Sequence, residues 1–139
     1  MSKHLVETRW KGGMQFESTN PGGNLMIDAG PENGGLGAGY RPKMLMLSAL
    51  AGCSGLDIAH LIPKMKLSVR DFSIDTEGIL SESEPQTYTA VTLYYRFYGE
   101  ALDQKKLQRA VDLSVEKYCG VLEMFRSFAT VNIVTEFHP

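Results

Sequence analysis

The sequence predicts an α+β fold in which helices cover one face of a mainly antiparallel sheet. Three observations predict it. Short apolar runs separated by glycine-rich turns fill the first part of the chain, a long apolar segment bounded by prolines follows, and an alternating strand precedes an amphipathic helix in the last part. Because 139 residues suffice for one hydrophobic core and are too few for two, we expect a single domain over residues 1–139.

The first predicted element is a small antiparallel meander. Residues 5–10, 14–18 and 24–28 are short candidate strands, since residues 11–13 and 19–23 between them are rich in the turn residues Gly, Asn and Pro. Residues 29–41 contain five glycines, so we expect a mobile loop that serves as a lid over a pocket or as a plain connection. Within it, residues 35–40 superficially look like a dinucleotide-binding loop. Tyr40 stands at the third glycine position and no βαβ unit follows, so we expect no cofactor.

A long helix is predicted over residues 42–63. Pro42 suits the first turn of a helix, where its missing N–H costs nothing. The segment is apolar almost all round, so the helix should be buried inside the domain or at a subunit interface. Pro63 should end or kink it. A membrane span is not expected, because Asp57 and His60 lie within the segment and prolines close it at both ends.

Two long strands are predicted next, at residues 67–80 and 87–98, with a hairpin loop at residues 81–86. In the first strand Val69 and Phe72 have opposite parity, which indicates a β-bulge. The second strand shows the alternation of a half-buried strand. Its apolar side consists of Val91, Leu93, Tyr95 and Phe97.

An amphipathic helix follows, with Asp103 as its predicted N-cap. Its apolar stripe has the spacing of a helix packed on a sheet. The helix should break near Cys119, and we expect a short helical turn over residues 121–128 and a closing strand over residues 130–137. The stripe comprises Leu107, Ala110, Val111, Ser114, Val115 and Tyr118.

Composition and charge exclude some function classes. A net charge of −2 and a pI near 5.9 argue against nucleic acid as the main partner, since phosphate binding needs a concentrated basic face. The first residues contain no apolar run of signal-peptide length. We therefore expect a cytoplasmic protein that has no nucleic-acid or membrane partner.

The chemistry that the sequence can support depends on its two cysteines. A buried free cysteine often behaves as a small hydrophobic residue, which is the simplest interpretation. Asp57 and His60, however, follow Cys53 by four and seven residues, so all three share one stripe of the predicted helix. His60 lies two turns away, roughly 10 Å along the helix axis, so no catalytic triad is predicted. The simpler interpretation is that Asp57 and His60 lie in the core and form hydrogen bonds with neighbouring residues.

Cys119 has a different setting. If a helical turn starts at Gly120, the Cys119 sulfur lies at a helix N-terminus, where free N–H groups and the helix dipole favour a thiolate. Around Cys53, the small residues Gly52, Ser54 and Gly55 should leave space for another backbone or a substrate. A buried thiol at Cys53 and a more activated one at Cys119 then look like a nucleophile and its resolving partner, provided the fold brings them together. No metal site is expected, since no Cys or His pair has a short ligand spacing.

These residues resemble the OsmC/Ohr family (osmotically inducible protein C / organic hydroperoxide resistance) of bacterial thiol peroxidases. The matching segments are Trp-Lys-Gly-Gly at residues 10–13, the Arg-Pro segment that runs to Cys53, and Lys-Tyr-Cys-Gly-Val around Cys119. They occur in the family's order and with its spacing. The resemblance implies an OsmC-like fold with a long buried central helix. It also implies an intertwined homodimer whose active sites are shared between the chains.

The resemblance implies a reaction as well. Cys53 would attack an organic hydroperoxide and become a sulfenic acid, and Cys119 would condense with it to a disulfide. An external dithiol would reduce that disulfide, with no cofactor. The apolar pocket would be lined by residues such as Met46, Leu50, Phe125 and Phe128.

The chain differs from the family's pattern in the groups that would tune the thiolate. Family peroxidases place a Glu ten residues before the first cysteine, and Lys43 stands there; their Arg follows the early Gly-Gly pair, where this chain has Met14 and Gln15. Arg41, Lys43 and Arg9 are the candidates to supply a positive charge, and Asp57 is a candidate to influence the thiolate from the same helix face.

A rival hypothesis follows from the same differences. The chain would then be an OsmC-like protein that is not a peroxidase. It would bind an apolar or thiol-reactive small molecule, or act as a redox sensor.

Overall fold

The computed structural model describes residues 2–139. The chain forms two compact units, one up to Met46 and the other over Leu47–Pro139. The first unit contains a three-stranded antiparallel sheet made of β1 (Glu7–Gly12), β2 (Gln15–Asn20) and β3 (Gly23–Ile27). The predicted meander is thus confirmed, with strand ends shifted by up to two residues. Gly12 and Gly13 have φ of 107° and 56°, so the turn between β1 and β2 uses backbone conformations that favour glycine.

The glycine-rich segment after β3 has a defined conformation, and the prediction of a mobile loop is not supported. It contains a short 3₁₀ turn at Pro31–Asn33. Asp28 is buried, and its carboxylate accepts hydrogen bonds from the backbone N–H groups of Ala29, Leu36 and Ala38 at 2.8, 3.2 and 3.1 Å. A single buried acid can therefore order a glycine-rich loop by satisfying its backbone donors.

Helix α1 (Pro42–Lys64) follows. Pro42 begins it as predicted, and Pro63 lies in its last turn, where the helix ends one residue later. By length and composition, α1 is the one helix among residues 2–139 that could cross a membrane. It is nevertheless buried on one side only, and that side faces the core of the second unit: the buried positions are Leu50, Ser54, Ile58 and Leu61.

The second unit has its own three-stranded sheet, of β4 (Asp71–Leu80), β5 (Tyr88–Tyr98) and β6 (Thr130–His138). β4 pairs antiparallel with β5, and β6 pairs parallel with β5. The predicted bulge between Val69 and Phe72 is wrong. The strand begins only at Asp71, so Val69 lies outside it, and the irregular pairing occurs at the far end, between Ile79 and Leu80.

β5 is the centre of this sheet and shows the predicted alternation. One side is buried in the core, and the other side is only half-buried. The buried side carries Val91, Leu93, Tyr95 and Phe97.

Helix α2 (Gln104–Leu113) packs its apolar stripe into the same core. As predicted, Asp103 is its N-cap, with a carboxylate oxygen accepting from the Lys106 N–H at 3.1 Å. The helix continues into a π-helical turn, Ser114–Tyr118, and α3 (Gly120–Arg126) begins after Cys119. The wider π turn rotates the end of the stripe outward, so Tyr118 is half exposed and not part of the buried stripe as predicted.

Candidate active site

The two cysteines meet in the second unit. Cys53 lies in the middle of α1 and is half-buried, whereas Cys119 lies between the π-helical turn and α3 and is only 4% exposed. Cys53 packs against the core cluster to which Cys119 belongs, and both are free thiols. The fold thus provides the proximity on which a thiol pair depends.

The π-helical turn positions Cys119. The Cys119 N–H donates to the Ser114 carbonyl at 2.9 Å, a bond that spans five residues. Cys119 then adopts an extended backbone, with φ of −79° and ψ of 100°, and serves as the N-cap of α3. Its sulfur accepts a hydrogen bond from the Leu122 N–H at 3.4 Å. The predicted break at this position, with the Cys119 sulfur at a helix N-terminus, is confirmed.

The prediction that Cys119 is the more activated thiol is wrong. Burial raises the pKa of Cys119 to about 12. This effect outweighs the hydrogen bond from the Leu122 N–H, which lowers the pKa. The neighbouring Cys53 thiol and the charge of Asp57 raise the pKa further. One weak donor cannot replace the water that a thiolate loses on burial. Cys119 is therefore protonated at neutral pH, and Cys53 is the more accessible of the two thiols.

A line of hydrogen-bonded side chains passes beside the thiols. The hydroxyl oxygens of Ser54 and Tyr95 are 2.6 Å apart, and those of Ser54 and Ser114 are 2.7 Å apart. Ser114 donates to the Asp57 carboxylate at 2.8 Å. We call these four residues the hydroxyl chain. This site was not predicted from the sequence, although a serine within the apolar stripe of a helix, as at Ser114, is a signal for a buried polar contact.

Asp57 and His60 have separate surroundings. The Asp57 carboxylate belongs to the hydroxyl chain and accepts a hydrogen bond from Ser114. The prediction that neighbouring residues provide Asp57 with a hydrogen-bond partner is therefore confirmed. His60 is exposed, so the expected Asp–His pair in the core is wrong. Both side chains line a concavity of about 450 Å³, together with Leu56, Leu61, Lys64 and Tyr118.

The candidate cations belong to the first unit. Arg9 is exposed and forms an ion pair with Glu7 at 3.2 Å, and Arg41 donates to the Gly39 carbonyl at 2.8 Å. Lys43 is exposed in the first turn of α1. That one of these three side chains supplies a positive charge to the Cys53 thiolate stays a prediction.

The residues expected to line an apolar pocket divide into two groups. Leu50 and Phe125 belong to the closed hydrophobic core, because their side chains are shielded on all sides; their predicted place in a pocket is wrong. Phe128 and Met46 are exposed, and the Phe128 ring lies 4.9 Å from that of Phe125. Near Cys53, a Cβ added at Gly52 would meet no atom of the described chain within 4 Å, so open space exists on that side of α1.

A model of the family of OsmC-like proteins matches residues 34–134, which is more than half of the chain. The chain belongs to this family. Protein YhfA of Escherichia coli is 30% identical to this OsmC-like protein over 132 residues, which cover 95% of each. A solved hypothetical protein from Aquifex aeolicus is also 30% identical, with a TM-score of 0.86 over 99% of this chain and 97% of that one.

A more distant structure extends the likeness. The organic hydroperoxide resistance protein OsmC of Legionella pneumophila has a TM-score of 0.71 to this OsmC-like protein, at 21% identity over 98% of this chain and 99% of that one. At this identity the match shows the fold. The α+β class, the antiparallel pairing and the long central helix predicted from sequence are therefore confirmed for this OsmC-like protein.

Proposed function

We propose that this OsmC-like protein reduces organic hydroperoxides with the thiol pair Cys53 and Cys119. The Cys53 thiolate attacks the outer peroxide oxygen, the O–O bond breaks, the alcohol leaves after taking up a proton, and Cys53 becomes a sulfenic acid. The Cys119 sulfur then attacks the Cys53 sulfur, and a disulfide and water are formed. A small-molecule dithiol returns the disulfide to two thiols and is itself oxidised.

The proximity of the two thiols is the observation that carries this proposal. Cys53 and Cys119 are 66 residues apart in the sequence, yet Cys53 packs against the core cluster that contains Cys119, and the Cys53 thiol raises the pKa of Cys119. A disulfide requires Cβ atoms about 3.5–4.5 Å apart, so a resolving cysteine must already be adjacent to the sulfenic acid. The half-buried Cys53 suits the attack on substrate, and the buried Cys119 suits resolution inside the protein.

The proposal includes an assembly and a compartment. A homodimer with active sites shared between chains is supported by the exposed apolar side of α1, where Leu56 is 75% exposed. A cytoplasmic location is supported by the two free thiols, since thiols stay reduced there.

Arg41, Lys43 or Arg9 would then supply the positive charge that lowers the pKa of a peroxidatic thiol.

The test is consumption of cumene hydroperoxide and hydrogen peroxide in the presence of a dithiol. We expect rapid turnover of the organic peroxide by the wild type and none by Cys53→Ser. Cys119→Ser should form a sulfenic acid that a dimedone probe traps, but no intramolecular disulfide. Absence of turnover by folded, reduced wild-type protein would contradict the proposal.

A second candidate function is a redox sensor or a binder of thiol-reactive small molecules. It is favoured by Lys43 and by Met14 and Gln15, which stand where the family's pattern has the Glu and Arg that tune the thiolate. A sensor would form the Cys53–Cys119 disulfide once, slowly, without steady turnover. The rate of peroxide consumption with excess dithiol distinguishes the two candidates.

A further inference from the structure

The backbone that carries Cys119 changes direction between two helical elements. The π-helical turn ends at Tyr118, Cys119 adopts an extended backbone, and α3 begins at Gly120. A helix end leaves its last carbonyl groups without intrahelical donors. The place of the Cys119 side chain therefore depends on what holds the π-helical turn and α3 against each other and against α1.

The hydroxyl chain holds the π-helical turn against α1. The Ser114 hydroxyl lies 2.7 Å from that of Ser54 and donates to the Asp57 carboxylate at 2.8 Å, and both partners belong to α1. The Ser114 carbonyl accepts from the Cys119 N–H at 2.9 Å. Since Ser54 directly follows Cys53 in the chain, two hydrogen bonds connect the backbone of Cys119 with the neighbour of Cys53.

Arg126 joins the π-helical turn to α3. Its guanidinium donates to the Val115 carbonyl at 2.8 Å and forms an ion pair with Glu123 at 3.0 Å. Arg126 lies in the last turn of α3, 11 residues after Val115. The bond therefore closes a ring of backbone in which Cys119 lies, and it provides a donor to a carbonyl at the end of the π-helical turn.

Helix α3 itself has a fixed place in the core. Leu122 and Phe125 are 0% and 2% exposed, whereas the side chain of Arg126, at the next position, is 35% exposed. The Leu122 N–H also donates to the Cys119 sulfur at 3.4 Å. Because the Arg126 guanidinium lies near the surface, its bond to the π-helical turn can be removed without opening a cavity in the core.

A resolving thiol needs this kind of restraint. A disulfide requires Cβ atoms about 3.5–4.5 Å apart, and a displacement of about 1 Å can slow a reaction on the order of 100-fold. The raised pKa of Cys119 leaves few of its thiols ionised at neutral pH. A fast attack on the sulfenic acid therefore depends on a sulfur that is already held in the correct place.

We propose that Arg126 is a positioning residue for the resolving cysteine, an inference that rests on the peroxidase function proposed above. Its bond to the Val115 carbonyl fixes the angle between the π-helical turn and α3. This keeps Cys119 at the distance from α1 at which a disulfide with Cys53 can form. Arg126 acts through the backbone, and it raises the effective concentration of one thiol toward the other.

Two measurements test this role. Equilibration with mixtures of reduced and oxidised glutathione gives the reduction potential of the thiol pair. In that exchange two protein thiols and one oxidised glutathione give the protein disulfide and two reduced glutathiones. Mixing with one equivalent of cumene hydroperoxide, followed by dimedone trapping or acid quench and by mass spectrometry, gives the rate at which the disulfide replaces the sulfenic acid.

The main variant is Arg126→Met, which keeps an apolar stem and removes the donors. Arg126→Lys keeps the positive charge and one donor group. Two matched controls accompany them. Glu123→Gln removes the ion pair but leaves Arg126 able to bind the Val115 carbonyl, and Asp103→Ala lowers stability at the start of α2.

We expect disulfide formation to slow on the order of tenfold in Arg126→Met, and the disulfide to become easier to reduce. A tenfold loss of effective concentration raises the reduction potential by about 30 mV. Arg126→Lys should recover part of both changes, and both controls should stay near the wild type. A loss of overall stability, as in Asp103→Ala, affects the oxidised and reduced forms equally and leaves the potential unchanged.

Three results would overturn the proposal. Wild-type rate and potential in Arg126→Met would refute the positioning role and leave the peroxidase intact. A slower rate at an unchanged potential would also refute positioning, because a charge that acts on the Cys119 thiolate alters the rate alone. A wild type in which cumene hydroperoxide oxidises neither cysteine would refute the peroxidase as well. Should Arg126→Met fail to fold in a thermal melt, Arg126→Ala decides by the same criteria.

Discussion

At the residue scale, two opposing effects act on the Cys119 sulfur. Its place at the N-terminus of α3 gives it the Leu122 N–H as a donor, which stabilises a thiolate. Its burial removes solvation from that thiolate, and this effect is larger. A favourable local position in the sequence therefore does not make an activated cysteine when the tertiary core closes over it.

The first prediction concerns alkylation of the two thiols. With a pKa of about 12, Cys119 at about pH 8 is ionised in roughly one molecule in ten thousand. We expect iodoacetamide to modify Cys53 first and Cys119 at least about tenfold more slowly. Peptide mass spectrometry measures both. In denaturing urea the two rates should become similar, and equal rates in the folded protein would contradict the burial argument.

The second prediction concerns Ser54→Ala. The substitution leaves the buried Tyr95 hydroxyl without its hydrogen-bond partner, so the free energy of unfolding should fall by about 1–3 kcal/mol. Urea denaturation measures it, with the exposed Ser83→Ala as the control. The double variant Ser54→Ala/Tyr95→Phe should recover part of the loss, because no hydroxyl is then left unpaired at that bond. Additive losses would argue against this account.

At the element scale, α2 depends on a single side-chain cap. The Asp103 carboxylate satisfies the N–H of Lys106, one of the donors that a helix start leaves unpaired. Our third prediction is that Asp103→Ala lowers the free energy of unfolding by about 1 kcal/mol, measured by chemical denaturation. Asp103→Asn keeps an acceptor oxygen and should retain most of the stability. A larger effect for Asn than for Ala would refute the capping role.

The glycine-rich loop depends on Asp28 in a similar way. Its backbone hydrogen bonds, chiefly from the Ala38 N–H, outweigh desolvation and hold the pKa of Asp28 below its ordinary value. A group with a lowered pKa stabilises the folded form above its ordinary value, and this contribution is lost as the pH falls through the lowered pKa. The ordered loop should therefore persist at neutral pH and loosen in acid.

The fourth prediction follows for amide exchange in this loop. Protection factors of the Leu36 and Ala38 amides, corrected for intrinsic exchange, should be constant down to about pH 4 and fall below it. Asp28→Asn should reduce them already at neutral pH, while Glu32→Gln in the same loop should not. Hydrogen exchange followed by NMR tests this. Unchanged protection in Asp28→Asn would mean that the other backbone bonds hold the loop alone.

At the scale of the whole molecule, α1 has two different sides. Leu50, Ile58 and Leu61 pack in the core of the second unit, while Leu56 is exposed to solvent. An exposed large apolar residue is ordinary by itself, but beside the open position of Gly52 it suits contact with a second helix. This is the surface on which we expect the homodimer to form.

The fifth prediction tests that dimer. Leu56→Glu places a charge in the middle of the expected interface, so it should convert the dimer to a monomer at micromolar concentration. Sedimentation velocity measures the change. Lys105→Glu, on the exposed side of α2, should leave the assembly unaltered. A wild-type protein that sediments as a monomer would refute the dimer itself.

The elements with strong local signals, and the family, could be predicted from the amino-acid sequence alone. Glycine-rich turns, the alternation in β5, the Asp103 cap and the break at Cys119 all act within a few residues, so their positions could be predicted closely. The segments around Cys53 and Cys119 carried the resemblance, and the family match confirmed it. Local propensity is sufficient where a feature depends on neighbours in the chain.

Which side chains meet, and how far each one is exposed to solvent, became evident only from the folded structure. The packing of Cys53 against the core that contains Cys119, the parallel pairing of β6 with β5 and the hydrogen bonds that join Tyr95, Ser54 and Ser114 link residues far apart in the chain. Sequence spacing contains no information about such distances. Burial likewise depends on packing by distant elements, and it reversed the expected reactivity of Cys119, because desolvation is a property of the folded surroundings and not of the local sequence.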